Sequence, residues 1–140
     1  MGLFAEPWLR EARDQIKLVS DNTPDKKNNP VQFNKLAEAV EKAIKAALVE
    51  NHGSLPRQLD HHNLVSICQA TGVWDVLPPA LRGLVQEVQS FRSTISPAPV
   101  QQQTSVEQLQ RYFIVARGLI DYMEFHIIGN DSVLKRLTVA

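Results

Sequence analysis

At 140 residues the chain has the size of one domain and can bury a core without a disulfide or a structural metal. Hydrophobic residues make up 44% and charged residues 21%, a balance that excludes disordered, collagen-like and membrane compositions. Fifteen basic against fifteen acidic residues leave zero formal charge, so the chain lacks the whole-molecule field by which non-specific nucleic-acid binders hold a phosphate backbone.

The N-terminal run Met1-Gly2-Leu3-Phe4-Ala5-Glu6-Pro7 does not read as a secretory signal, and Glu6 stands where a myristoylation signal wants Ser or Thr. No apolar run approaches the ~18 residues of a membrane span, and the single cysteine, Cys68, cannot form an internal disulfide. A cytoplasmic protein is the expectation. Cys68 sits in the apolar run Leu64 to Cys68 and reads as a small buried hydrophobe rather than a reactive thiol.

Pro7 can open a first helix to about Ser20, with Trp8, Leu9, Ala12, Ile16 and Val19 on one stripe. The polar run Asp21 to Asn29 follows as a loop. From Pro30 to Asn51, Phe33, Leu36, Ala37, Val40, Ile44, Ala47 and Leu48 recur at spacings of three and four. Asn29 serves as N-cap and Asn51-His52-Gly53 as a left-handed stop. Glu38, Glu41 and Lys42 fall on this helix's exposed side and are read as solvated charges.

A short third helix is expected from about His61 to Ala70, stopped by Thr71-Gly72. Pro78-Pro79 starts a fourth, with Leu81, Leu84, Val85, Val88 and Phe91 in helical register to about Thr94. Ile95 to Gln103 is a connector, and Thr104 with Glu107 forms a capping box for a last long helix to about Ile128, closed by Gly129-Asn130. No strand-like alternation and no internal repeat occurs. The expectation is an all-α, mainly antiparallel bundle of about five helices, four long and one short, in one domain spanning 1–140 with its core at about 6–128 and a tail at 129–140.

The candidate chemistry is sparse. Among His52, His61, His62 and His126, the adjacent His61 and His62 point about 100° apart on a helix, so they lack the spacing of paired metal ligands, and no metal or cofactor is expected. Arg57 precedes His61 by four residues and His62 by five, a spacing that could join a phosphate-holding guanidinium to a proton-moving imidazole, as metal-free RNA cleavage requires. The plainer reading makes one histidine a backbone cap and the other solvated. Arg92, Arg111, Tyr112 and Arg117 could form a basic and aromatic surface for a nucleotide; the plainer reading packs Tyr112 at the core edge and leaves the arginines to solvent. There is no phosphate-binding glycine loop, no Gly-x-Ser-x-Gly elbow and no His-Glu-x-x-His.

The run Glu41-Lys42-Ala43-Ile44-Lys45-Ala46-Ala47-Leu48, followed after a Gly and Pro loop by His62-Asn63-Leu64, resembles the HEPN family (higher eukaryotes and prokaryotes nucleotide-binding domain). The upstream helix with Trp8, Leu9 and Ala12 and the proline-containing connector before a long final helix are similar to the family's first and last parts. The resemblance covers roughly residues 6 to 128. It implies a helical bundle with one of two careers. Many members are ribonucleases, often toxins, with an Arg, four to six residues, then a His in the later helices. Others are non-catalytic partners of small nucleotidyltransferases, or nucleotide-binding or dimerising modules.

No His follows Arg92 at the ribonuclease spacing, and Arg117 is nine residues before His126. Arg57 and His62 meet the spacing, but His62 matches the family's His-x-Leu histidine, for which the resemblance implies a structural role. The reading is a non-catalytic HEPN-like module, a homodimer through its first or last helices, that binds a nucleotide or pairs with a nucleotidyltransferase. The alternatives are a metal-independent endoribonuclease acting on RNA through Arg57 with His61 or His62, and a ligand-free scaffolding bundle.

Overall fold

The structure, a computed structural model, describes residues 4–21, 29–53, 55, 57, 63–93 and 106–137. Its helices are α1 (Glu6–Asp21), α2 (Asn29–His52), α3 (Leu64–Thr71), α4 (Val73–Val76), α5 (Pro79–Ser93), α6 (Val106–Tyr122) and α7 (Asp131–Leu134), with no strand among the described residues. The five expected helices are α1, α2, α3, α5 and α6; α4 and α7 are single turns beyond them. A six-residue π-helical segment, Met123–Ile128, carries α6 on to the expected end. Residues 22–28 of the expected loop, His61, His62, the connector Ile95 to Gln103 and Thr104 of the capping box lie outside the described residues, while Asp21 and Asn29 at the ends of that loop are helical, so α2 begins on Asn29 itself.

Helix α2 is the axis of the bundle. The sequence predicts one apolar face, yet Ala37, Ala39, Val40, Ala43, Ile44, Ala46, Ala47 and Leu48 are all fully buried, and with the buried Glu41, Lys45 and Val49 they cover nearly the whole circumference. Helices α1 and α6 and the π segment all pack on α2. Alanine is what permits this, because it lets neighbouring backbones approach while keeping the highest helix propensity. The expectation that Glu41 is a solvated charge is therefore corrected. Its side chain and that of Lys45 are buried and pair at 2.7 Å, one helical turn apart. Lys42 is half-buried, ion-paired with Glu11 of α1 at 2.9 Å, with its ammonium 5.3 Å from the centre of the Trp8 ring.

Helix α1 runs antiparallel to α2. Its buried stripe is Leu9, Ala12 and Ile16, and the N–H groups of Phe4 and Ala5 donate to Oε1 of Glu50, at 3.2 and 3.0 Å, near the end of α2. An acceptor from α2 thus meets orphan donors at the start of α1. Helix α6 is antiparallel to α1 and hence parallel to α2: Phe33 near the start of α2 meets Tyr112 near the start of α6, ring edge to face at 5.4 Å.

Between these long helices the chain is steered by caps. Asn63 Oδ1 accepts the N–H of Ser66 at 3.0 Å, and Gln89 of α5 accepts the N–H of Leu64 at 2.8 Å. Gly72 stops α3 in the left-handed conformation, φ +88°, as the Thr71-Gly72 signal predicts. The α4 carbonyls go to side chains: Arg82 donates to Trp74 O at 2.8 Å and Tyr122 donates to Val76 O at 2.7 Å. In the C-terminal segment Leu137 is buried and its carbonyl accepts from Asn51 Nδ2 at 3.1 Å, which docks that segment on the end of α2. Among the described residues no helix is long and apolar enough to cross a membrane.

The buried ion pair makes α2 sensitive to mutation, because removing one partner takes from the other, away from water, the opposite charge it faces at 2.7 Å. Lys45→Met is expected to lower the unfolding free energy by about 3 kcal/mol or more, read from the urea midpoint. Adding Glu41→Leu is expected to restore part of that loss. A Lys45→Met midpoint equal to the parent's contradicts this account of α2.

Candidate functional site

The predicted site residues do not gather at one place. Arg57 is exposed beyond the end of α2, while His61 and His62 lie outside the described residues. Arg92 belongs to the last turn of α5, and its side chain is also outside them. On α6, Arg111 is exposed and Tyr112, about 100° around the helix, turns inward, where it packs on Phe33 and its hydroxyl donates to Glu87 of α5 at 3.2 Å. Burial first, and then the Glu87 carboxylate, push the Tyr112 phenol above its ordinary pKa, so this hydroxyl acts as a donor that ties α5 to α6. Arg117 is about 120° around the helix from Arg111 and faces α1 instead.

Where Arg117 meets α1 there is a cleft of about 320 Å³, lined by Arg13, Ile16 and Lys17 from α1 and by Arg117, Ile120 and Asp121 from α6. Ile16 and Ile120, 5% and 1% exposed, seal its floor. Arg13 spans it, donating from Nη1 to Asp121 at 3.0 Å and from Nη2 to Glu124 at 2.5 Å. Burial works against the charge on Arg13, but the two carboxylates outweigh it and hold the guanidinium above its ordinary pKa. Lys17 and Arg117 stand exposed on the rim, and neither pairs with a carboxylate among the described residues.

Helical spacing brings this set together. Arg13 and Lys17 are four residues apart and so share a face of α1. Arg117, Asp121 and Glu124 follow one another down the α1 side of the α6 rod, and the π segment continues the rod so that Glu124 reaches Arg13. Sequence reasoning finds Arg117 but misses Arg13 and Lys17, which lie about a hundred residues away and carry no motif. The only local signal is the Arg13-x-x-x-Lys17 pair on the hydrophilic side of α1.

Among the described residues no three His, Cys, Asp or Glu side chains converge as metal ligands. Cys68 is fully buried on α3, and burial pushes its thiol up to about 12, so it carries no thiolate at neutral pH. A thiol reagent at pH 8 is expected to modify Cys68 only as fast as the protein unfolds, with rapid reaction in denaturant. Rapid labelling of the native protein contradicts that placement.

Residues 5–125 match the family model for the HEPN domain. No curated protein and no solved structure matches the chain. The match begins one residue before α1 and ends within the π segment, so it takes in the α2 axis and both walls of the cleft. With most of its length inside that match, the chain belongs to the HEPN domain family.

Proposed function

We propose that this HEPN chain is a non-catalytic helical module that works as a homodimer and binds a nucleotide, with a small nucleotidyltransferase as the partner protein the family resemblance implies. The later helices carry no Arg and His pair at the ribonuclease spacing, so the groups that would hold and protonate an RNA phosphate are missing from the place where the family's ribonucleases have them.

The observation that supports pairing is the outward face of α6 and its π extension. Ile114 is 70% exposed and Phe125 62% exposed, while most of the large apolar side chains are buried. Between them lies Gly118, exposed, where an added Cβ would meet nothing within 4 Å. A mid-helix glycine costs roughly 1 kcal/mol relative to alanine, and no contact among the described residues requires one there. Close approach of a second backbone would. Ile114 and Gly118 sit within about 40° of each other on the helix.

An antiparallel two-fold pairing of this face is self-complementary. Centring it between Leu119 and Ile120 sets each Ile114 opposite the partner's Phe125, with the two Gly118 positions beside the crossing. This is an isologous interface of the kind closed dimers use. The cleft adjoins this contact, since its Asp121 lies about 20° around the helix from Ile114 and so on the contact face.

Sedimentation velocity over a concentration series is expected to show a dimer. Ile114→Asp with Phe125→Asp, both at exposed positions, is expected to convert it to a monomer with unchanged helical circular dichroism. A parent protein that is monomeric throughout the series overturns the proposal.

A further inference from the structure

The cleft between α1 and α6 has a composition that narrows what it can hold. Its floor residues, Ile16 and Ile120, are almost completely covered and offer a ligand little surface of their own, and the accessible lining is slightly more polar than apolar. A ligand there meets charge. Arg13 is occupied by Asp121 and Glu124, which offsets one of their two negative charges and bridges the two walls of the cleft. Among the described residues Lys17 and Arg117 are then the cleft cations without a carboxylate partner, one on each wall. Three cations stand against two carboxylates, and Lys17 and Arg117 flank the opening.

We propose that the α1–α6 cleft is an anion site that takes the phosphate chain of a nucleotide, held between Lys17 on one wall and Arg117 on the other. Guanidinium offers a planar fork that matches two phosphate oxygens, and the lysine ammonium offers a mobile point charge. A chain of several phosphates, rather than a single one, suits two cations carried on separate helices. The base and sugar lie outside, because the sealed floor gives them nothing to stack on. A cleft of about 320 Å³ lies at the small end of ligand pockets, consistent with capture of part of a ligand. This assignment rests on the nucleotide-binding part of the function proposed above, and it gives that function a location.

The site is exposed, so its affinity is carried by screened charges and weakens as salt is raised. The test measures the melting temperature of the full chain in low-salt buffer with sodium tripolyphosphate and, separately, with ATP. The parent and the variants Lys17→Gln, Arg117→Gln and Arg111→Gln are compared. Both probes are expected to raise the melting temperature of the parent, since a ligand that prefers the folded state stabilises it by mass action. Lys17→Gln and Arg117→Gln are each expected to weaken the apparent affinity by roughly tenfold, the scale of one charge-assisted hydrogen bond. Arg111→Gln, which removes a charge from another side of α6, is expected to leave it unchanged.

Equal stabilisation of the parent and the Lys17 and Arg117 variants by ATP overturns the cleft while leaving nucleotide binding intact elsewhere. Stabilisation by tripolyphosphate but not by ATP, lost in the two variants, keeps the anion site and removes the nucleotide. No stabilisation of the parent by either probe overturns both.

Discussion

A helix covered on nearly every side can be built only if its side chains leave room for its neighbours, and α2 meets that condition with a run of alanines. Ala37, Ala39, Ala43, Ala46 and Ala47 are each fully buried. They let α1 pack antiparallel along one flank while α6 and its π extension pack along another. Because both of those helices are referenced to α2, their separation from each other is set as well. The cleft they enclose is thus a by-product of how α2 is packed. The Glu41–Lys45 pair is a charged element inside this arrangement, and its two charges are tolerable there because they face each other at 2.7 Å.

The helices themselves were legible in the sequence because their signals are local. The three-and-four spacing from Phe33 to Leu48, the Thr71-Gly72 stop and the Pro78-Pro79 start all correspond to observed boundaries. The burial of Glu41 and Lys45 was not legible. Periodicity shows which face of α2 meets its first neighbour, but carries no information about whether the polar side is buried as well. The π segment was hidden for a related reason: Met123, Ile127 and Ile128 are buried, and an apolar run of this kind reads equally well as the last turns of an ordinary helix. The one-turn helices α4 and α7 are too short to show any period.

The site was legible only in fragments. Arg117 could be singled out as a cation near an aromatic residue, but its neighbour Tyr112 is turned toward Phe33 and Glu87 and serves the packing of α5 on α6. Lys17 and Arg13 become part of the same cleft only through the antiparallel pairing of α1 with α6. The two sides of α6 thus acquire different tasks. One closes on α1 around Arg13, Lys17 and Arg117; the other carries Ile114, Gly118 and Phe125 outward.

Pairing through that outward face is the claim on which the functional account turns, and distance across the two-fold tests it most directly. Gln110 is exposed on α6, and the buried Cys68 stays unlabelled in the native protein. A spin label on Gln110→Cys therefore reports on α6 alone. With the crossing between Leu119 and Ile120 and a rise of 1.5 Å per residue, the two labels of an antiparallel dimer are expected about 30 Å apart by pulsed dipolar spectroscopy. The absence of an intersubunit dipolar signal, or a short distance with the two labels side by side, contradicts the account.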